Sequence, residues 1–407
     1  MTKDKPLRKE HTVFHKISYG QNELDNLRKT LESGHIGSRG RNTIEVEVKL
    51  SKLLDHKKVL MTTSCTAALE MAVRLAKITV GDEVIVPTYT FPSTANAVLI
   101  NGATPVLAPV DLSSLCITLD TIKQVRTSRT KAVMVVHYGG MSEDIEAISE
   151  YCKNENLVLI EDAAQALGSS YHGKPLGTFG DFGCFSFHQT KNETSGEGGA
   201  LTINHGDEDL IKSAEIILEK GTNRIAFSRG EYDMYEWKSI GSSYSPSDLL
   251  MAFLSAQLDE FIDKLHKRKM QIKKYIEVFE ALKVDGLSYF IGYQDEYLSE
   301  TSSMMTRSNA HLFYLRFDTT HDADRFYKAM LEDEVEVRKH FVPLHQSAMG
   351  CQFKSAQCDL SSNDQLFDRI IRLPLYSDRS ELEQLHDLSV LKNYFTGLKS
   401  CTAEEII

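Results

Sequence analysis

Cysteine is sparse, seven in 407 residues, and none falls in a CxxC pair. Without closely spaced thiols there is neither a metal-knuckle ligand set nor a disulfide framework, and a reducing compartment suits such usage. Excess positive charge is lacking too. Lysine and arginine number 46 against 57 aspartate and glutamate, a formal net charge of -11, so no basic footprint recruits duplex nucleic acid. No stretch approaches the ~18 uninterrupted apolar residues of a membrane span. The start, MTKDKPLRKEHTVFHK, has no apolar core of the signal-peptide kind. The expectation is a cytoplasmic protein with no membrane and no nucleic-acid partner. A GxGxxG fingerprint, a Walker-type phosphate loop, internal repeats and low-complexity tracts are missing as well.

What is present is globular: 42% hydrophobic, 25% charged and 9% aromatic residues, a balance that excludes disorder and collagen-like repeats. At roughly 150 residues per domain the length predicts two or three domains. From Val59 to Ile203 short apolar runs alternate with helix-like segments. The runs are VLMTTS (59–64), EVIVPT (83–88), TPVLAPV (104–110), AVMVVHY (132–138), LVLIEDA (157–163), CFSF (184–187) and ALTI (200–203). Between them CTAALEMAVRLAKI, STANAVLING and MSEDIEAISEYCKNEN carry apolar residues at helical spacing. This predicts an α/β domain with a mostly parallel, doubly covered sheet, whose ligands sit at the carboxyl ends of the strands. Residues 246–284 predict one long helix or two in series. Beyond a polar, irregular stretch, HLFYLRF, DADRFYKAMLED, VEVRKHF and a helical tail predict a smaller α+β domain.

Three constellations can carry chemistry. At Thr63-Ser64-Cys65-Thr66 a strand ends in hydroxyl residues and a helix begins at once. Its unpaired N–H groups and dipole make an anion site, although a hydroxyl N-cap alone explains Ser64 or Thr66. Glu161-Asp162-Ala163-Ala164-Gln165 follows a buried run, and strand alternation turns Asp162 to the face opposite Glu161. Asp162 is either a cleft acid or a helix cap. In GCFSFHQTKNETSGEGGA, Lys191 lies between an apolar strand and a glycine-rich turn, where desolvation frees an amine for Schiff-base chemistry. The Gly196–Gly199 run allows close backbone approach or simply a turn, and His188 reads as a partly buried, satisfied side chain. Each signal is weak. Their order, a phosphate-ready helix start, an acid, then a lysine, is the set of anchors a pyridoxal phosphate (PLP) enzyme needs.

With those segments, SCTAALEMA, GDEVIVPTYTFPSTANAVLINGATPV, HYGG, EKGTNR and GSSYSPSD, the chain resembles the DegT/StrS-type nucleotide-sugar aminotransferases of PLP fold type I over roughly residues 15–395. The combination EDAAQ, SFHxTKN and GEGGA is specific. The resemblance implies a large PLP-binding α/β domain over 1–264, with the N-terminal segment, and a small C-terminal α+β domain over 265–407. It implies a seven-stranded, mostly parallel sheet. It places Lys191 at the Schiff base, Asp162 at the pyridinium nitrogen, Gln165 at the phenolic oxygen and Phe91 on the cofactor ring. Ser64, Cys65, Thr66 and Ser186 form the phosphate cup. A neighbouring subunit of a homodimer completes that cup from a GxNxR segment, which here reads Gly241-Ser242-Ser243-Tyr244-Ser245, with Ser243 replacing Asn.

The implied reaction takes an amino group from L-glutamate and gives it to a nucleotide sugar. EKGTNR, FSRGEYDMYEW and GSSY most resemble the subgroup that aminates a dTDP-4-keto-6-deoxy sugar at C4 for surface polysaccharides. Amination at C3 and a noncatalytic PLP-fold binding or regulatory protein stand as alternatives. A sugar dehydratase of the same fold carries histidine in place of Lys191, and a nicotinamide dehydrogenase needs the missing glycine fingerprint.

Overall fold

The computed structural model describes residues 11–55, 58–289, 306–353 and 358–397. The first ten residues of the charged start, most of the irregular stretch (290–305) and the end of the tail (398–407) lie outside the described residues.

The central sheet has seven strands: β1 (Val59–Thr62), β2 (Glu83–Pro87), β3 (Thr104–Ala108), β4 (Thr130–Val136), β5 (Val158–Asp162), β6 (Phe182–Ser186) and β7 (Gly199–Ile203). Their order is β1-β7-β6-β5-β4-β2-β3. β7 runs antiparallel to both β1 and β6, and the other pairings are parallel. Helices cover both faces, which explains why the strands are almost continuously apolar. Two separate buried clusters result, one holding Val46, Met61, Ile85 and Phe185, the other Leu60, Met71, Val84 and Cys184.

Helices α1 (Gln21–Glu32) and α2 (Arg41–Leu53) precede the sheet. Then come α3 (Cys65–Leu75), α4 (Pro92–Ile100), α5 (Leu119–Val125), α6 (Ile145–Asn154), α7 (Glu208–Leu218) and α8 (Arg224–Ser228). α3 starts where Ser64 Oγ accepts the Ala67 N–H at 3.1 Å, a side-chain N-cap, and its buried face carries Ala68, Leu69, Met71, Ala72 and Leu75. Segment 246–284 forms two helices in series, α9 (Asp248–Asp259) and α10 (Phe261–Leu282). The expected boundary at 264/265 falls inside the first turn of α10.

A second, four-stranded antiparallel sheet contains β8 (Leu287–Tyr289), β9 (Tyr314–Phe317), β10 (Arg338–Lys339) and β11 (Ile370–Arg372), in the order β8-β9-β11-β10. With it go α11 (Thr320–Glu332) and α12 (Glu381–Thr396). The strand expected over 335–341 is short, Arg338–Lys339, and the irregular stretch supplies β8 at one end. Among the described residues no helix is long and apolar enough to cross a membrane.

Candidate active site

The turn between β6 and β7 carries Lys191. Because these strands are antiparallel neighbours, residues 187–198 fold back on themselves. The Phe187 N–H donates to Gly198 O at 2.8 Å, and the Gln189 N–H donates to Gly196 O at 2.8 Å. Gly196, at φ 82, makes the left-handed corner that this closure requires. Lys191 sits at the tip over a cavity of about 510 Å³ at the carboxyl end of the sheet. Burial is the main cause that lowers its amine from 10.5 to about 8; the Arg372 charge adds to this and the Asp162 charge opposes it.

Asp162 ends β5 and faces the same cavity, 5% exposed. Its Oδ2 accepts the Thr94 hydroxyl at 2.8 Å and its Oδ1 the Ala164 N–H at 3.2 Å. Burial raises its pKa, against those two donors and the Lys191 charge. Glu161 points the other way. Its oxygens take the N–H groups of Gly177, Phe179 and Gly180 at 2.6–2.7 Å and face His137 Nε2 at 2.8 Å, so it fastens the segment before β6. Alternation along one strand thus separates a structural acid from a cavity acid.

Ser64, Cys65 and Thr66 line the cavity at the start of α3, with Ser186 opposite at the end of β6. Ser64 is at once the N-cap and a cavity residue. The Thr66 hydroxyl donates to Ser93 Oγ at 2.7 Å, and the Cys65 thiol lies 3.9 Å from Asp162 Oδ1. A Cβ on Gly199 would stand 2.3 Å from Ser64 C and 2.4 Å from Cys65 N, so glycine alone lets β7 run beneath this helix start. Phe91, at the N-cap of α4, is 58% exposed on the cavity wall, which rules out core packing as its role. Gln165 Oε1 accepts the Gly139 N–H at 2.7 Å, leaving its amide NH2 as the group available to the cavity.

Every site residue expected from the sequence except Ser243 meets in this one cavity. Ser243 is exposed and outside it, although the same segment crosses close by, with the Thr63 N–H donating to Tyr244 O at 2.7 Å. The 221–245 segment has more bonds within its own chain than its sequence reveals, including Tyr244 OH to Glu70 Oε2 at 2.8 Å. His188 lies on the cavity wall, its Nδ1 2.9 Å from Thr190 Oγ1. The sequence reading missed Phe14 and His15 from the N-terminal strap, and His311, His340, Phe341 and Arg372 from the smaller layer. Arg372 Nη1 donates to His340 Nδ1 at 2.7 Å, and its guanidinium lies 5.3 Å over the Phe14 ring. Burial, then the Arg372 charge, lowers His340 to about 2, so it is a neutral acceptor.

A helix-start cup lined with hydroxyls, a carboxylate held by two donors, a lysine with a depressed pKa and an exposed aromatic wall are a donor set that fits PLP: phosphate, ring nitrogen, aldehyde and ring face each have a counterpart. Among the described residues no group of three or more His, Cys, Asp or Glu is placed to hold a metal.

The chain is 33% identical over 371 residues to the spore coat polysaccharide biosynthesis protein SpsC of Bacillus subtilis, covering 89% of this chain and 91% of that one. It is 29% identical over 376 residues to the dTDP-4-dehydro-2,3,6-trideoxy-D-glucose 4-aminotransferase of Saccharopolyspora spinosa, covering 91% and 93%. The PLP form of Spr1654 from Streptococcus pneumoniae superposes with a TM-score of 0.82 at 24% identity, covering 98% of this chain and 100% of that one. The profile of the DegT/DnrJ/EryC1/StrS aminotransferase family matches residues 18–387, and the chain belongs to that family.

Proposed function

We propose that this chain is a PLP-dependent aminotransferase that moves an amino group from L-glutamate to C4 of a dTDP-4-keto-6-deoxyhexose, giving a dTDP-4-amino-4,6-dideoxy sugar for surface polysaccharide. The observation that carries the reading is the convergence of Lys191 and Asp162, from two different strand ends, on one cavity whose floor is the α3 start. EKGTNR and GSSY resemble dTDP-4-amino-4,6-dideoxygalactose transaminase, and they support the choice of C4 and of the sugar. The name of the Saccharopolyspora relative supports a dTDP-sugar and the same carbon.

When bound, PLP supplies an aldehyde for amine exchange and a ring that takes up the electron pair left by a departing Cα proton. Ser64, Cys65, Thr66 and Ser186 would hold the phosphate with the α3 dipole. Asp162 would hold the proton on the ring nitrogen by a charge-assisted hydrogen bond. The Gln165 amide would donate to the phenolic oxygen, and Phe91 would lie against the ring. Lys191 Nζ, lowered to about 8, is neutral in a useful fraction near neutral pH. Freed, it would carry the proton from the glutamate Cα to the former aldehyde carbon, and in the second half-reaction a proton from that carbon to the sugar carbon that receives the amine. Ser243, exposed and outside its own cavity, is assigned to the phosphate of the second copy in a homodimer.

The test is incubation of the PLP-loaded protein with dTDP-4-keto-6-deoxyglucose and L-glutamate, with the product read by NMR. An amine on C4 is expected. Turnover of a 3-keto isomer alone would replace the carbon assignment. A visible cofactor band with no turnover of either isomer would replace the enzyme reading with the noncatalytic PLP-fold one.

A further inference from the structure

Asp162 has a difficulty built into its position. It is nearly sealed from water, and burial favours its neutral form, whereas a partner for a protonated ring nitrogen must be an anion. Something nearby has to hold the charge. The groups that face it come from every side: Cys65 of α3, Thr94 of α4, His137 after β4, Cys184 of β6 and Lys191 of the following turn. Of these contacts the shortest is the Thr94 hydroxyl, 2.8 Å from Oδ2. Thr94 in turn lies 2.8 Å from Thr90 Oγ1, and both threonines are buried. A hydroxyl carries one proton. If the Thr94 hydroxyl donates its hydrogen bond to the carboxylate, the Thr90 hydroxyl must donate to Thr94, and the chain Thr90 to Thr94 to Asp162 has a single direction. Thr94 is also the third residue of α4, so the positive end of that helix dipole stands beside the same oxygen.

We propose that Thr94, oriented by Thr90, is a positioning residue for Asp162: its hydroxyl keeps the carboxylate ionised and turned into the cavity. The inference rests on the PLP reading above and adds to it the group that makes Asp162 usable. A hydroxyl that lacks this role would only fill space at the start of α4.

The experiment compares wild type, Thr94→Val, Thr94→Ser and Asp162→Asn as purified apoproteins titrated with PLP by fluorescence between about pH 5 and 8. Without the hydroxyl, Asp162 takes up its proton more readily, so the loss of PLP affinity on acidification begins at a higher pH. The expected shift of that acid limb in Thr94→Val is about one pH unit, or about tenfold in affinity on the limb, since a hydrogen bond to a charged group is worth about that much. Thr94→Ser keeps the hydroxyl and should restore the wild-type limb. Should Thr94→Val fail to fold, Thr94→Ala carries the same test without a branched side chain. An acid limb unmoved in the hydroxyl-less variant, with melting temperature alone reduced, overturns the inference. Failure of the wild-type apoprotein to bind PLP at any pH would instead overturn the PLP reading, and a wild-type affinity in Asp162→Asn would remove Asp162 from the ring nitrogen, so the failures are distinguishable.

Discussion

Substitution separates the roles proposed for Lys191 and Asp162 in one proton shift. Lys191→Ala should abolish turnover and the borohydride-trapped attachment of PLP to this chain, while PLP still binds through its phosphate and ring contacts. Peptide mass analysis after reduction checks it, and a melting temperature close to wild type is expected. Asp162→Asn keeps the shape and removes the charge. The expected cost is ~3 kcal/mol in the proton shift, roughly a hundredfold in single-turnover rate. An Asp162 that only capped the chain turn would instead cost ~1 kcal/mol of stability and leave the rate intact. The sequence makes Asp162 legible because period-two alternation turns adjacent acids to opposite faces, and the structure puts Glu161 on backbone N–H groups. Phe14, His340 and Arg372 are not legible in this way. Phe14 reaches the cavity from the strap before Ser64 and the other two from segments hundreds of residues after it, and no local pattern marks a side chain that a distant layer will place.

At the scale of elements, the strands of the large sheet are readable because burial on both faces makes them short apolar runs. The region before β1 is the opposite case. Thr43-Ile44-Glu45-Val46-Glu47-Val48-Lys49-Leu50 alternates as a strand would, yet it is helical, buried through Thr43, Val46 and Leu50 at helical spacing, with Ile44 and Val48 exposed. Its N-cap is Gly40, and α1 begins after Gly20, so neither start carries a side-chain hydroxyl signal. Between β6 and β7 the same turn that presents Lys191 buries Glu193, 2% exposed. Burial raises this carboxyl from 4.5 to about 7, only partly opposed by the Arg268 and Lys264 charges. Because the folded chain holds this proton more tightly than the unfolded one, its stabilising contribution is full below about 4.5 and is lost as pH rises through about 7. Glu193→Gln removes that loss. Relative to wild type the variant should gain up to about 3 kcal/mol between pH 5 and pH 8 in urea unfolding. An equal difference at both pH values would show that folding does not raise the Glu193 pKa.

For the whole molecule, the alternating pattern and the family motifs made the doubly covered sheet legible, whereas the exposed apolar surface had to be seen in three dimensions. Met234, Tyr235, Trp237 and Ile240 stand exposed together in one segment, Trp237 at 77%. An apolar strip of this kind, beside the segment that carries Ser243, favours a dimer with an interface on the order of 2,000 Å² or more. Sedimentation should show a species of twice the chain mass, and a monomer with full activity would remove the shared-site reading. The sheet order carries a last consequence, which concerns time rather than space. β1 lies at the sheet edge, paired with β7, and Ser64 rests on Gly199. During synthesis the helix start proposed for the phosphate therefore emerges long before the strand that supports it, a contact of high sequence separation and slow to form. Cofactor capture belongs to the end of folding of this sheet, and the apoprotein must reach that state on the strength of its two apolar layers alone.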